Sequence, residues 1–438
     1  MSVPASPYWE QTAGPPPARR VPLGGDLAVD VAVIGGGYTG LAAALRLSAA
    51  HGAEVALLEA NTVGWGASGR NSGFALVSVG KLGLEERIRR WGLEAARRSL
   101  RLGLEAVETV RALVRHEAID CEQQPDGWLV VAHRAGMVDE LRARVRTCRD
   151  TLGHAGVEFL DAEAMDAGGY LRGPAAHAGI LFRTGFGLHP LKLARGLAAA
   201  AARRGVRVFE GTPVLAWQRG PGGHRLATPG GTLRAKRVVM ATNGYTPEGL
   251  HPFFRGRLLP AASNIVVTRA LSEGEWAATG MLGTRVYSDS RNLVYYWRRM
   301  PDGRLLFGGR AGVRDSDASL RARRRALEEA IARKWPHLRG VGSEHFWHGN
   351  VCLSRDLMPH VNTVPDDPSV AYAMAYLGSG VALATHGGGL AADMVMGAAV
   401  ARDTPVTGAG LARFPLPFLR RVYLAGAYLA YGLKDRGS

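Results

Sequence analysis

The stretch DVAVIGGGYTGLAAALRLSAAHGAEVALLEA, from Asp30 to Ala60, constrains the fold of this chain more than any other. A short apolar run ends in glycines, continues as a helix of small residues and returns as a second apolar run. Gly35, Gly37 and Gly40 fit G-x-G-x-x-G, in which glycines permit a tight turn, close approach of a pyrophosphate and helix–strand packing. The pattern predicts a strand–helix–strand unit that binds a dinucleotide at the helix N-terminus.

Two further features favour a dinucleotide over an ordinary glycine-rich turn. Glu59 ends the second apolar run, 19 residues (59 − 40) after the third glycine. The motif places an acid roughly 20 residues on, where it binds ribose hydroxyls. The next loop, GWGASGRNSGFA, holds Ser68, Arg70 and Asn71 among four glycines. Such a loop offers backbone amides, a hydroxyl and a guanidinium to a pyrophosphate and its attached ring.

Length and composition limit the other possibilities. A chain of 438 residues predicts two domains rather than one. The three widely spaced cysteines, Cys121, Cys148 and Cys352, give neither a disulfide framework nor a metal-binding pattern, so we expect a cytoplasmic protein without a metal. The Pro-rich N-terminus lacks the apolar core of a signal peptide, and no apolar run reaches the ~20 residues of a membrane span, so no membrane partner is expected.

The formal net charge of +16 leaves two interpretations open. An anionic partner, such as RNA or a membrane surface, is one. The other is solvated helix faces, because the two Arg-dense stretches, ERIRRWGLEAARRSLR and LRARRRALEEAIARKW, have helical periodicity with interspersed Glu. We favour the second interpretation, and nucleic acid is not an expected partner.

A strand, a glycine turn and a helix recur near the end of the chain in SVAYAMAYLGSGVALATHGGGLAADMVMGAAV, with a β-rich block over 263–310 in between. The arrangement predicts an α/β nucleotide-binding domain built from separated segments, with a second domain inserted. The predicted boundaries are 28–87, 150–250 and 344–400 for the nucleotide-binding domain, 88–149 and 251–343 for the substrate domain, 1–27 for a loosely structured N-terminal arm and 401–438 for a C-terminal extension.

These motifs together resemble the D-amino-acid-oxidase-like FAD-dependent oxidoreductases, and most of all their γ-glutamylputrescine oxidase-type branch. Further matching stretches are HPLKLARGLAAAA, GTPV, VVMATNGYTP and YYWRRMPDGRLLFGGR. The resemblance implies a Rossmann-like FAD-binding domain of the glutathione-reductase type with an inserted β-rich α+β substrate domain.

The resemblance also implies which residues would bind FAD. They are Gly35, Gly37, Tyr38, Thr39 and Gly40 at the pyrophosphate; Glu59 at the adenosine ribose; Ala67, Ser68, Gly69, Arg70, Asn71 and Gly73 along the path to the flavin ring; Val214 at the adenine; Ala241 to Gly244, with Thr242, over the cofactor; and Gly378, Ser379, Gly380 and Val381 at the pyrimidine edge of the flavin. A helix beginning at Val381 would place partial positive charge where reduced flavin is negative.

Two departures from relatives concern the flavin. Many relatives have Gly-His-Gly where this chain has Gly378-Ser379-Gly380. Some relatives bind the flavin covalently through a cysteine about seven residues before an Asp, whereas the residue seven before Asp356 is Gly349, and Cys352 is displaced from it by three positions (352 − 349). Others use a histidine in the first glycine loop, and GASGRNSG has none. We therefore expect non-covalent FAD and a packing role for Cys352.

The resemblance implies hydride transfer from the carbon beside an amine, followed by hydrolysis of the imine. Only a neutral amine can release hydride, and an apolar pocket lowers the amine pKa by desolvation, so no strong base is required. Strand alternation in NLVYYWRRM places Tyr296 and Arg298 on one face and Tyr295 and Trp297 on the other. The resemblance implies that an aromatic residue and an arginine of this strand lie near the substrate, so we predict Tyr296 and Arg298 there, together with Ser379, and expect Arg298 to pair with a carboxylate. A one-residue register error would reverse the choice.

Several functions remain open at this stage. The leading hypothesis is oxidation of an amine or an N-substituted amino acid resembling a polyamine derivative, with oxygen or another electron acceptor. The alternatives are a flavin-dependent tailoring enzyme of a biosynthetic pathway, a tRNA-base-modifying flavin oxidase, and a flavin-carrying binding protein without turnover. No RNA-binding module is visible in the sequence.

Overall fold

The computed structural model describes residues 6–313 and 316–436. Its helices are α1 (Tyr8–Thr12), α2 (Tyr38–His51), α3 (Leu84–His116), α4 (Val138–Arg146), α5 (Ala162–Ala167), α6 (Pro190–Arg203), α7 (Glu273–Thr279), α8 (Asp317–Lys334), α9 (Gly380–Val395), α10 (Pro405–Gly408) and α11 (Arg420–Arg436). Its strands are β1 (Leu27–Ile34), β2 (Val55–Leu58), β3 (Phe74–Ala75), β4 (Trp128–Val131), β5 (Val157–Asp161), β6 (Ala178–Phe182), β7 (Phe186–Gly187), β8 (Arg207–Phe209), β9 (Ala216–Gly220), β10 (Gly223–Thr228), β11 (Gly231–Met240), β12 (Leu259–Ala270), β13 (Val286–Asp289), β14 (Tyr295–Arg299), β15 (Arg304–Arg310), β16 (His345–Leu353), β17 (His360–Val364) and β18 (Asp367–Met374).

The first sheet carries the predicted strand–helix–strand unit. Its order is β17-β18-β11-β1-β2-β8, and β1 runs parallel to both of its neighbours, β11 and β2. Helices α2, α6 and α9 contribute to the core on one face, and a second apolar cluster covers the other face. Burial on both faces explains the continuous apolar runs of β1 and β2, as expected of parallel strands.

The second sheet has eight strands in the order β16-β12-β15-β14-β13-β4-β6-β5 and is antiparallel except at β13–β4. Three of its strands depart from the predicted grouping of segments. Strands β5 and β6 fall within the predicted 150–250 segment, and β16 within 344–400, yet all three pair in this second sheet. The reason is backbone pairing between segments distant in sequence: β6 pairs with β4, and β16 pairs with residues 259–267 of β12.

The N-terminal arm is more ordered than predicted. Helix α1 lies within the stretch expected to be loose, and Trp9 in this helix is fully buried. The Trp9 indole Nε1 donates to the carbonyl of Asn71 at 2.8 Å, and its ring lies edge-on to Trp347. A large aromatic residue with both a packing site and a hydrogen bond fixes the arm against the glycine loop.

Trp9→Phe should lower the free energy of unfolding by about 1–3 kcal/mol, because it removes the donor to a partly buried carbonyl and leaves a smaller ring. Denaturant unfolding of both proteins measures the difference. Val21→Ala is the matched control in the same arm, since Val21 is exposed and its truncation should change stability by less than about 0.5 kcal/mol. Equal effects from the two variants would show that the arm is not anchored through Trp9.

Within the described residues, no helix combines the length and the apolar character needed to cross a membrane.

The longest helix, α3, is interrupted at Gly92, whose backbone leaves helical geometry at φ 82°. Both Arg-dense stretches are helices, α3 and α8, and Glu86 pairs with Arg90 one turn away in the first of them. The interleaved charges therefore form ion pairs on helix surfaces, as predicted.

Candidate active site

A first cavity of about 240 Å³ opens at the carboxyl ends of β1, β2, β11 and β18. Helices α2 and α9 both begin at its wall, through Tyr38 and Thr39 of one and Gly380 and Val381 of the other. The carboxyl edge of a parallel sheet is where α/β folds bind ligands. Two helix N-termini at one cavity favour an anionic ligand.

The glycine turn forms a narrow cradle in this cavity. Gly35 has φ 113°, and a Cβ atom there would lie 2.8 Å from the carbonyl oxygen of Ala241. A Cβ at Gly37 would lie 2.8 Å from the hydroxyl of Ser68, and one at Gly40 only 1.9 Å from the carbonyl of Gly35. The first two glycines leave backbone open to the cavity, and the third allows the helix to pack on the strand. This surface fits the pyrophosphate of a dinucleotide.

Glu59 closes the cradle on the side of β2. Its Oε2 accepts from the backbone amide of Gly36 at 2.6 Å, and its Oε1 accepts from Asn61 at 2.8 Å. Burial raises the pKa of this carboxyl, and the two amide hydrogen bonds oppose that shift. The side chain lines the cavity beside the glycine turn, where an acid binds the ribose of a dinucleotide.

Most of the predicted cofactor residues meet at this place. The predicted residues that line the first cavity are Gly35, Gly37, Tyr38, Thr39, Glu59, Ala67, Ser68, Asn71, Val214, Ala241, Thr242, Asn243, Gly378, Gly380 and Val381. Arg70 and Ser379 line a second, adjoining cavity. The rest hold the turns instead: a Cβ at Gly69 would lie 2.4 Å from the carbonyl of Gly64, and one at Gly73 2.0 Å from that of Leu188. Gly244 likewise packs against Asn350.

The second cavity has a volume of about 590 Å³ and adjoins the first. The two share Asn71, Phe74, Leu377 and Gly378 as wall residues. Aromatic and aliphatic side chains, together with several cations, line the larger space. These are Phe74, Leu76, Leu82, Trp128, Val130 and Tyr296 on the apolar side, and Arg70, Lys81, Arg87, Arg144, Arg291 and Arg310 among the cations. Three acids, Glu85, Glu140 and Asp289, also line it, so a molecule in this cavity meets apolar surface and charges of both signs.

Tyr296 lines the second cavity, as predicted for a substrate residue, and its hydroxyl lies 2.9 Å from that of Ser263. Arg310 lies on the neighbouring strand and was not predicted. Its guanidinium donates to the carbonyl of Leu377, and burial lowers its pKa. Among the described residues, no carboxylate lies within ion-pair distance of Arg310. A desolvated cation without a counter-ion in a ligand cavity is a site for an anionic group.

Arg298 does not reach either cavity, and the prediction that it binds substrate is corrected here. Its side chain is buried between the rings of Trp9 and Phe74, with Cζ 5.3 and 5.8 Å from their centroids. Its Nη2 donates to the carbonyl of Leu188 at 2.9 Å. The strand alternation was right, because Arg298 and Tyr296 both contact Phe74. The cavity ends between them because helix α1 covers Arg298.

Two other residues that the sequence singled out, Ser379 and Cys352, also have defined positions. Ser379 precedes α9 and lines the second cavity, without a side-chain hydrogen bond to the helix. In the same helix, His386 Nδ1 lies 2.8 Å from the hydroxyl of Thr109 in α3, so this side chain packs between the two helices. Cys352 is buried at the wall of the first cavity, and burial raises its pKa to about 12. Its thiol is therefore protonated near neutral pH. In the described part of the chain, no cluster of His, Cys, Asp and Glu could hold a metal.

Lys81 also lines the second cavity, and the sequence analysis did not identify it. Its ammonium donates to the carbonyl of Asn292 and lies 4.7 Å from the ring centroid of Tyr431 in α11. Burial lowers the pKa of Lys81 to about 7. The only signal in the sequence is that lysine is rare here, with five lysines (81, 192, 236, 334 and 434) among the 54 basic residues.

Lys81→Met should change how stability depends on pH. Between pH about 7 and the usual lysine pKa of 10.5, the unfolded wild-type chain binds a proton that folded Lys81 does not. The folded state therefore gains stability as pH rises through this range. Because the variant lacks this group, the stability of the wild type relative to Lys81→Met should increase with pH, measured by thermal unfolding of both proteins. A constant or falling difference would contradict the lowered pKa.

Comparison with known proteins decides the family. The family model described as DAO, FAD dependent oxidoreductase, matches residues 30–394. The chain belongs to this family. It is 34% identical over 402 residues to a probable oxidoreductase OrdL of Rhizobium meliloti, covering 91% of this chain and 90% of that protein. It is 31% identical over 423 residues to gamma-glutamylputrescine oxidoreductase of Escherichia coli, covering 94% of each.

Solved structures agree on the fold of this DAO-family enzyme. Glycine oxidase from Geobacillus kaustophilus superposes with a TM-score of 0.73 at 22% identity, covering 89% of this chain and all of that one. The predicted FAD-binding fold with a substrate domain is therefore confirmed, and FAD is the cofactor of this oxidoreductase. The glycine cradle, the two helix N-termini and Glu59 fit that group.

Proposed function

We propose that this enzyme oxidises the C–N bond of an extended amine that carries a carboxylate, such as an N-substituted amino acid or a polyamine derivative. The observation that carries the proposal is Arg310, a desolvated cation without a carboxylate partner among the described residues, in a partly apolar cavity that adjoins the FAD cradle. An apolar wall suits the carbon chain of such a substrate, and Arg310 suits its carboxylate.

The first cavity and the loop beside it supply the proposed FAD site. Gly35, Gly37 and the amides that begin α2 would hold the pyrophosphate, Glu59 the ribose, and Val214 the adenine. The turn from Gly378 to Val381 adjoins both cavities and would hold the edge of the flavin ring. When bound, FAD supplies a two-electron acceptor for a hydride from the carbon beside the substrate nitrogen.

The second cavity would prepare the amine for this reaction. Its aromatic wall, with Phe74, Trp128 and Tyr296, removes water from an ammonium group and lowers the ammonium pKa. Arg310 acts in the same direction, because a positive charge disfavours a second cation nearby. The substrate therefore loses a proton to solvent and enters as the neutral amine. Oxidation leaves an imine, and water adds to its carbon to give a carbonyl compound and an amine.

The second cavity would hold the substrate beside the flavin ring, because Gly378 and Ser379 are part of its wall. Its volume of about 590 Å³ is therefore shared by the flavin ring and the substrate. The relative from Escherichia coli is named for gamma-glutamylputrescine, which joins a carboxylate-bearing group to a diamine. The structural relative from Geobacillus kaustophilus is named for glycine. Arg310 favours a carboxylated substrate, and the sequence match over 94% of both chains favours the kind of substrate for which the relative from Escherichia coli is named.

The proposal is tested with a panel of amines and a dye as electron acceptor. Gamma-glutamylputrescine represents carboxylated extended amines, putrescine lacks the carboxylate, and glycine lacks the length. We expect the highest kcat/KM for the first and release of a carbonyl product with it. Higher activity on putrescine or glycine would overturn the assignment of the second cavity to a carboxylated extended amine.

The same protein tests whether FAD is held without a covalent bond. Gly349 stands where covalent relatives carry cysteine, and the Cys352 thiol is protonated by burial. Acid precipitation should therefore leave all the flavin in the supernatant. Flavin that stays with the pellet would show a covalent link.

A further inference from the structure

The C-terminal helix α11 lies beyond the residues that match the family model, and only one of its two faces packs on the enzyme. Leu424 on the inner face joins an apolar cluster with Leu259 of β12. Near the other end, Asp435 accepts hydrogen bonds from the backbone amides of Asn292 and Leu293 at 2.8 and 2.9 Å. These anchors fix which face of α11 points away from the protein.

The outer face is a stripe of large apolar side chains, which we call the α11 stripe. Its members are Phe418, just before the helix, with 78% of its surface exposed, and Val422, Leu429 and Leu433, with 62, 69 and 61% exposed. Their spacing of four, seven and four residues keeps them on one side of a helix. Four neighbouring apolar side chains with this much exposure mark an interaction surface rather than scattered surface residues.

The charges around the stripe have a single sign. Arg421, Lys434 and Arg436 are exposed and form no ion pair with any described residue. Asp435 is the only acid in the helix, and its carboxylate is engaged on the inner face. The whole chain carries a formal net charge of +16. The surface therefore complements an anionic partner.

A second copy of this chain is a poor match for the stripe. Four large side chains per copy fall far short of the roughly 20–30 residues a side in a stable interface. Two such helices packed side by side, parallel or antiparallel, would also bring Arg421 and Lys434 of one copy close to Arg421 and Lys434 of the other. Like charges facing one another oppose association.

We propose that α11 docks this enzyme on an anionic lipid surface. The α11 stripe lies at the boundary between the headgroups and the acyl chains, and Arg421, Lys434 and Arg436 contact anionic headgroups. This is surface binding by one face of a helix, and it revises the expectation from sequence that no membrane is involved. The proposal does not depend on the identity of the amine substrate.

The test is co-sedimentation of the holoenzyme with vesicles of equimolar phosphatidylglycerol and phosphatidylcholine at low salt. We expect binding that weakens as salt rises and is far weaker on pure phosphatidylcholine. Leu429→Gln/Leu433→Gln should lower the partition coefficient by about a hundredfold or more. Arg421→Gln/Lys434→Gln/Arg436→Gln should lower it by about a hundredfold on anionic vesicles. Activity of both variants in solution should match the wild type, since these side chains face away from the cavities.

Leu282→Gln is the matched control, because Leu282 is also 69% exposed but lies on another surface beside Gly169. This variant should bind vesicles as the wild type does. The proposal fails if the wild type does not bind anionic vesicles, or if the α11 variants bind as well as Leu282→Gln. It also fails if sedimentation velocity without lipid shows a dimer that the Leu429→Gln/Leu433→Gln change abolishes, since the stripe then belongs to a second copy.

Discussion

Arg310→Gln is expected to lower kcat/KM for gamma-glutamylputrescine by about two to three orders of magnitude. Removing one partner of a desolvated charge pair costs about 2–5 kcal/mol, and about 1.4 kcal/mol corresponds to a factor of ten. Steady-state kinetics with a dye acceptor measures the change. The fold should survive, because the wild-type guanidinium has no ion pair among the described residues and donates its hydrogen bond to a backbone carbonyl, that of Leu377.

Two comparisons separate carboxylate binding from a general defect. For putrescine, which has no carboxylate, kcat/KM of Arg310→Gln should stay equal to or exceed that of the wild type. Arg298→Gln should instead lower thermal stability and affect both substrates alike, because Arg298 packs between two rings outside the cavities. An equal loss on both substrates in Arg310→Gln, or a carboxylate-selective loss in Arg298→Gln, would reverse the assignment of the two arginines.

Gly35→Ala should weaken FAD binding by about a hundredfold or more, so that the protein is purified largely without flavin. The backbone at this position has φ 113°, and the new Cβ would lie 2.8 Å from the backbone carbonyl oxygen of Ala241. No side-chain rotation relieves that contact, so the turn must move away from the cavity wall. Strain of about 1–3 kcal/mol at the turn, added to the loss of its shape, produces the expected weakening. Titration of apoprotein with FAD measures it.

Gly25→Ala is the matched control for this prediction. Gly25 has a similar backbone conformation, at φ 121°, but an added Cβ would have no atom within 4 Å. This variant should lose some stability through backbone strain and bind FAD like the wild type. Equal FAD affinity in the two variants would show that the turn at Gly35 does not form the cofactor site.

The nucleotide-binding half of the fold could be predicted from sequence because its signals are local. Glycine spacing, a helix of small residues and the acid at Glu59 all lie within one strand–helix–strand unit. The grouping of strands into the second sheet was harder to predict. Strand β16 joins β12 across about 80 residues, and nothing in either stretch identifies its partner. Pairing between distant segments is set by the whole core rather than by local pattern.

The arginine proposed to bind substrate could not be identified from the pattern of a single strand. Alternation correctly placed Arg298 on the face of Tyr296, but the cover over Arg298 comes from Trp9, far away in the sequence. Arg310 could have been found by continuing the hairpin. Gly308 lies opposite Tyr296, with the tyrosine ring over it, and Arg310 follows two residues later on the same face. The pairing register of the hairpin therefore carried information that the strand alone did not.

Anaerobic titration of the purified holoenzyme tests whether this FAD enzyme takes a hydride from a carboxylated amine. The visible flavin absorbance is followed while gamma-glutamylputrescine is added without oxygen. We predict full bleaching at one equivalent of substrate per flavin, with one equivalent of carbonyl product. Two results would contradict the assignment of a carboxylated extended amine as substrate. In the first, the flavin band stays unchanged with gamma-glutamylputrescine and bleaches with putrescine or glycine; in the second, none of the three amines bleaches it.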